Sequence, residues 1–401
     1  LEFSDGHPKD TQTKRFLSIH LANQVGLDKE SFATRIQWVE SNKPLITKVA
    51  TMLDGDNFKQ GIYLIEKHAK EDPLKFAAAC REYYEIFIAK TRSRTHLPCA
   101  IDATCSGQQL IAGFLKSGEL AQRVNVLPTT KPGDIYRDTR DKMLELIGES
   151  KEHKVSKATF EILGTSVGRK AAKKGFMSGQ YGSGSERQLK DIFEYLATVD
   201  GLDLSDTDRK AIKHYWPKAL EAICKIRVVF NWFKDLVEEI HAAKGTEVVI
   251  PTPTDSKIHQ IYPIKKTKQI TTFSFGSSEY KTAKVASEVN DEEAGVNIGK
   301  WTTATAANCI HGAGDASLLC IALGTFEHPF FCVHDSISTH AGKPMEALQK
   351  RLKEAYLEVI RFDIWKEIRA ANGLPDDDAK LPALCNDLDE DLILKSNYMF
   401  C

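Results

Sequence analysis

Apolar positions that recur every three or four residues mark most of this chain as helical, and short apolar runs closed by an acidic residue mark the exceptions. Residues 1–20 are polar until Phe16-Leu17-Ser18-Ile19, where a helical period begins. It continues to about Arg92, with Gly26-Leu27-Asp28-Lys29 as a turn between two helices. Leu97-Pro98-Cys99-Ala100-Ile101 ends abruptly at Asp102, which predicts a buried strand with a carboxylate at its C-terminal end. Ser106-Gly107 then breaks the chain before a helix predicted over Gln108 to Leu115. Further helical patterns cover Asp134 to Ile147, roughly Val167 to Gly179, and Asp206 to Ala243 as one long tract. Residues 246–300 are rich in Thr, Ser, Val and Gly and predict strands with a long hairpin around Phe273 to Glu288. Ala306 to Leu323 reads as helix again, and Phe330-Phe331-Cys332-Val333 as a second buried strand that delivers Asp335 between His334 and Ser336. The expected fold class is α+β, mainly helical, with a small antiparallel sheet.

One helical stretch carries candidate chemistry. Arg169, Lys173, Met177 and Tyr181 recur at every fourth position, so on a helix they share one stripe about 18 Å long, and Gly182 follows at its end. Two cations thus precede one aromatic ring. A triphosphate could lie along the stripe, phosphates toward Arg169 and Lys173, sugar and base toward Tyr181. Alone, the same stripe is the solvated edge of an amphipathic helix. Its setting adds weight, because two predicted strands that each end in Asp bracket it. Phosphoryl transfer from a triphosphate uses two Mg²⁺ ions about 3.5–4 Å apart, each held by one or two carboxylates and by phosphate oxygens. Asp102 and Asp335 would supply those carboxylates, although a lone Asp at a strand end is more often a cap or turn former.

Composition narrows the classes. With 401 residues and 42% hydrophobic content the chain can bury a large core in more than one structural unit. A net charge of −1 gives no global attraction to polyanions, so any such site must come from local clusters such as Lys173-Lys174 and Lys265-Lys266. Nine Cys without a C-x-x-C pair suit neither a disulfide framework nor a zinc site and point to a reducing cytoplasm. Neither a signal peptide nor an apolar run of membrane length is read from the sequence, so no membrane partner is expected.

Several motifs together resemble the single-subunit, bacteriophage-type DNA-dependent RNA polymerases. Ile101-Asp102-Ala103-Thr104-Cys105-Ser106-Gly107-Gln108 is similar to that family's first catalytic motif, the Arg169 to Gly182 stripe to its fingers helix, and His334-Asp335-Ser336 to its third motif. Leu17 to Ile36, Val124 to Pro128 with Asp134-Ile135-Tyr136, Asn308 to His311, and Asp391 to Cys401 resemble further family segments, so the likeness runs nearly end to end. It implies a right-handed polymerase palm and fingers. The palm would take residues 1–130 and 312–401 with a terminal foot, and the fingers 131–311 with a specificity-type hairpin at about 267–297.

The resemblance also implies roles. Asp102, Asp335 and the Ala103 carbonyl would hold two Mg²⁺ ions, Arg169 and Lys173 the triphosphate, and Tyr181 the sugar with His311 beside it. Met177, Gly182 and Tyr136 would complete the nucleotide site, and Tyr280, Lys281 and Lys284 of the hairpin would contact DNA. His311 departs from the pattern, since three residues separate it from Asp315 where the family has two. Expected partners are a DNA template, an RNA product, ribonucleoside triphosphates and a promoter-activating or single-strand-binding factor. No D-x-x-G-R motif occurs, so the likeness is to a split branch of the family. A second polypeptide would then supply the thumb, the N-terminal region and that motif, docked on residues 1–100, in the cytoplasm of an infected bacterium. The rival is a fragment of one longer chain. Two other functions stay open, a family-A-type DNA polymerase and a non-catalytic nucleic-acid-binding relic. The first would place Phe at Met177, Glu at Ser336 and a ribose-blocking Glu just after Asp102. The second would have lost a metal carboxylate.

Overall fold

Alternation in Pro98–Asp102 sets the centre of the molecule: Cys99 and Ile101 turn into the core while Ala100 and Asp102 turn outward, as a strand with one wet face requires. A computed structural model describes residues 2–53, 57–69, 72–180, 182–273, 282–290 and 295–401, with backbone alone for 268–273 and 282–288. In it, Pro98–Asp102 pairs antiparallel with Ser336–His340, which pairs in turn with Phe330–Val333. The middle strand is the buried one. Phe330–Val333 is an open edge, with Val333 59% exposed, so the expectation of a second buried strand is corrected. Its run of apolar residues resembled a core strand because a sequence shows hydrophobicity but not edge position.

Helices surround this sheet, in keeping with the α+β, mainly helical class. Thr13–Asn23 and Phe32–Ser41 flank the expected turn, where Gly26 takes φ 81°. Ser106–Phe114 starts two residues earlier than expected. Gly107 does not break it, because a Cβ there would sit 3.2 Å from Gln180 Oε1, and the glycine serves a close approach. The long tract divides into Asp206–Ile223 and Ile226–Ala242, parted by an extended Cys224 that is 2% exposed. Burial of that side chain turns the backbone, which local propensity does not signal.

Val248–Pro251 pairs antiparallel with Lys257–Gln260, and Lys265–Phe273 with Thr282–Asn290, the second pair lying where the long hairpin is expected. Ile298–Leu323 is one helical run that is π-helical over Cys309–Ala316. By length and composition it could cross a membrane, contrary to the sequence reading. Trp301, Ala306, Cys309, Ile310 and Ala313 on it are buried in the core, each large side chain contributing about 1.5–3 kcal/mol.

Candidate active site

Asp102 and Asp335 reach one place by different routes. Asp102 ends its strand opposite Ser336, and Asp335 sits with His334 in the two-residue turn joining Phe330–Val333 to Ser336–His340. His334 takes φ 55°, the left-handed conformation such tight turns use. Opposed residues in an antiparallel ladder lie about 4.5–5.5 Å apart at Cα, so Asp335, one residue before Ser336, neighbours Asp102. Desolvation by the surrounding cleft, then the charge of Asp335, pushes the Asp102 pKa up to about 6, against the Ala103 N–H, Lys173 and Lys29. Asp102 is nonetheless open to the water of the cleft, so the cause is crowding by protein and like charge rather than enclosure.

The last residues brace this strand end. The Cys401 N–H donates to the Asp102 carbonyl at 3.0 Å, the Asp102 N–H to the Cys401 carbonyl at 3.4 Å, and Ala103 bridges Phe400. Gln109 Nε2 donates to the Met399 carbonyl at 2.9 Å. Tyr398, Met399 and Phe400 are buried, so the tail packs beside the carboxylates as its apolar composition suggests. Because Asp102 spends both backbone groups on Cys401, strand alternation turns those of Ala103 toward the Asp335 edge.

The stripe helix spans Ser166–Gly179, capped by the Thr165 hydroxyl. Its buried face is made of Gly168, Ala171, Ala172, Gly175 and Phe176, and this smallness allows close packing. A Cβ on Gly175 would lie 2.6 Å from Ile192 and 2.8 Å from Trp216. The opposite face carries the stripe. Lys173 and Met177 line a cleft of about 1140 Å³ together with Asp102, Ala103, Asp335 and Tyr136. The Lys173 ammonium lies 5.6 Å from the Tyr136 ring centroid, and the Tyr136 hydroxyl reaches Met177 Sδ at 3.5 Å. Gly182, at φ 89°, packs where a Cβ would meet Phe230 at 3.1 Å.

Arg169 is placed differently from the expectation. Its guanidinium pairs with Asp134, the cap of helix Ile135–Glu149, and lies 5.6 Å from the Tyr136 ring, in a small side cavity rather than the main cleft. Since the Asp134 side chain is only 4% exposed, Arg169 balances a buried carboxylate. Arg169→Ala is therefore expected to destabilise the fold by about 3 kcal/mol in urea denaturation, the lower end for a broken buried pair because Arg137 stands 3.6 Å away. Lost nucleotide affinity at unchanged stability would instead return Arg169 to the triphosphate.

His311 hydrogen-bonds through Nδ1 to Asp315 Oδ2 at 3.2 Å, and Ser106 Oγ donates to the same oxygen at 3.4 Å. Asp315 reaches a small cavity shared with Ala103 and Asp335, while His311 lines a separate groove. The extra residue between His311 and Asp315 falls inside the π-helical segment, whose wider turn accommodates one residue more than an α turn. Tyr181, Tyr280 and Lys281 lie outside the described residues. Lys284 is described by its backbone alone, opposite Thr271.

Sequence reasoning overlooked Lys29. It lines the main cleft and bears on Asp102, held by a turn that the fully buried Arg35 fixes through the Asp28 and Glu30 carbonyls and Asn23 Oδ1. The signal available was Gly26-x-Asp28-Lys29, read as a turn and as part of the Leu17 to Ile36 family segment but given no role at the site.

The donors present suit a hard divalent cation: two carboxylates, one of them with its proton affinity raised by desolvation and then by the other, and a carbonyl turned toward their edge. Among the described residues no three His, Cys, Asp or Glu side chains gather as a metal-holding group.

A model of the DNA-dependent RNA polymerase family matches residues 7–373. The chain belongs to that family. Relatives include the mitochondrial DNA-directed RNA polymerase of Schizosaccharomyces pombe, 28% identical over 92% of this chain and 32% of its own length. Another is the mitochondrial DNA-directed RNA polymerase 1 of Arabidopsis thaliana, 26% identical over 100% of this chain and 41% of its length. The chloroplastic RNA polymerase 3 of Nicotiana sylvestris is 25% identical over 100% and 41%. The chain thus spans about a third to two-fifths of these RNA polymerases.

Proposed function

We propose that this chain is the catalytic palm and fingers of a DNA-directed RNA polymerase, with palm at 1–130 and 312–401 and fingers at 131–311. The observation that carries the reading is the convergence of Asp102, Asp335 and Lys173 on one cleft from two strand ends and one helix. Asp102, Asp335 and the Ala103 carbonyl would hold two Mg²⁺ ions, which when bound neutralise charge on the attacking and leaving oxygens. Lys173 would hold the triphosphate and give a proton to departing pyrophosphate, a role supported by its place on the cleft beside Tyr136, with Met177 in contact with that ring's hydroxyl. Most of the protein's contribution is positioning and fixed charge.

The test is incorporation of ribonucleotides against deoxyribonucleotides on a primed DNA template. Ribonucleotide preference is expected, because Ala103-Thr104-Cys105 after Asp102 leaves room for a 2′-hydroxyl where a DNA polymerase would carry Glu. Tyr181→Phe should relax that preference toward deoxyribonucleotides. An unchanged ratio of the two kcat/KM values would remove Tyr181 as selector.

A finer reading has a second polypeptide supplying the thumb. It is favoured by apolar side chains on adjacent N-terminal helices, with Phe58 52%, Tyr63 63% and Leu74 82% exposed. A partner chain there should co-purify stoichiometrically from the native source. Mass spectra of one continuous polypeptide spanning both parts would exclude it.

A further inference from the structure

We infer that Gln180 is a positioning residue for nucleotidyl transfer, a strut that holds the end of the stripe helix against the turn after Asp102, and this inference rests on the polymerase reading. Gln180 caps the C-terminus of Ser166–Gly179, its N–H donating to the Phe176 carbonyl at 2.9 Å. Glutamine is mostly an exposed residue, yet this one is 1% exposed. Its amide reaches two elements that line the main cleft. Nε2 donates to Met177 Sδ at 3.3 Å, on the stripe itself, and Oε1 accepts from the Cys105 thiol at 3.4 Å, three residues after Asp102. Gly107 completes the seat, since a Cβ there would press on Oε1 at 3.2 Å.

Stability alone does not account for this arrangement. Sulfur is a weak hydrogen-bond partner, so two sulfurs offset little of the desolvation of a buried primary amide, and an apolar side chain of similar size would fill the seat as well. What the amide adds is registration. The stripe helix packs on Ile135–Glu149 and Ser185–Leu196, and the chain just beyond it is tied in the same direction: Gln188 Nε2 donates to the Ser183 carbonyl at 2.7 Å, and Gln188 Oε1 accepts from Trp216 Nε1 at 2.9 Å. Lys173 and Met177 thus take their places from those helices, whereas Asp102 and Ala103 take theirs from the sheet and the tail. Gln180 joins the two sets. The Cys105 thiol suits this use, because it makes no bond to the helix that Cys105 caps, and the Cys105 carbonyl accepts the Gln108 and Gln109 N–H groups there, each at 3.0 Å. Burial pushes the thiol up to about 11, so it remains a protonated donor at neutral pH.

The experiment measures single-turnover ribonucleotide incorporation on a primed DNA template by the purified polymerase across nucleotide concentrations, so that the maximal rate and the half-saturating concentration separate. Gln180→Leu should lower the maximal rate about tenfold, with half-saturation within about twofold of the wild type and an unchanged melting midpoint, because Leu fills the seat without registering the helix. Cys105→Ala should slow the reaction by the same factor, and the double variant no further than either single, since one bond is lost in all three. Cys105→Ser, whose hydroxyl still donates to Oε1, should recover most of the loss. The wild-type rate in Gln180→Leu would overturn the inference, as would a loss confined to half-saturation, a Cys105→Ser variant as slow as Cys105→Ala, or a double variant slowed by the product of the singles. A wild type that incorporates no nucleotide would instead overturn the polymerase reading, and this role with it.

Discussion

Asp102→Asn and Asp335→Asn are each expected to lower nucleotide incorporation at least about a thousandfold while leaving the fold intact. The magnitude follows from the several kcal/mol that a positioned metal contributes to charge stabilisation, each 1.4 kcal/mol being a factor of ten. The stability of the two variants separates this cause from misfolding. Asp102 titrates at about 6 in the folded protein against 3.8 as an ordinary carboxyl. A raised folded pKa means that the ionised group opposes folding above about pH 6 and no longer does so below about pH 4. Asp102→Asn should therefore melt at or above the wild-type temperature at pH 7 without divalent ions, and the difference should shrink toward zero as the pH falls to 4. Adding Mg²⁺ should raise the wild-type midpoint and not that of the variant. Wild-type extension rates from either variant would remove that residue from the metal site.

Deleting Phe400 and Cys401 is the second large effect. It removes both hydrogen bonds that Cys401 makes with the Asp102 backbone and the bridge from Phe400 to Ala103. A displacement of the strand end by about 1 Å is enough for a hundredfold loss of rate, which is the drop expected in single-turnover incorporation. The fold should survive. Losing the buried Phe400 ring costs about 3–5 kcal/mol, on the scale of a Phe→Ala change in a core and within the reserve of a large domain. Full activity in the truncated protein would show that the tail does not hold Asp102 in place.

These expectations could be framed because the chemistry was legible locally. An apolar run stopped by Asp102, a four-residue period from Arg169 to Met177 and the His334-Asp335-Ser336 string are each contained in a few residues. Lys29 was missed for the opposite reason, since its approach to Asp102 is made by Arg35 bonds across a turn that sequence shows only as Gly and Asp. The pairing of Arg169 with Asp134 was not legible because the two lie 35 positions apart, and sequence periodicity reports the face of a helix but not what that face meets.

By itself, then, the sequence determined most of the helices, the long hairpin and an Asp at each of two strand ends, because periodicity, turn residues and abrupt polarity changes act within a few residues. Tertiary structure alone decided that Phe330–Val333 is an open edge, that Cys224 divides a helix, that Arg169 neutralises Asp134 and that the tail braces Asp102. Each of those depends on which distant atoms share a surface. Burial and ion pairing are properties of that surface, and chain order does not carry them.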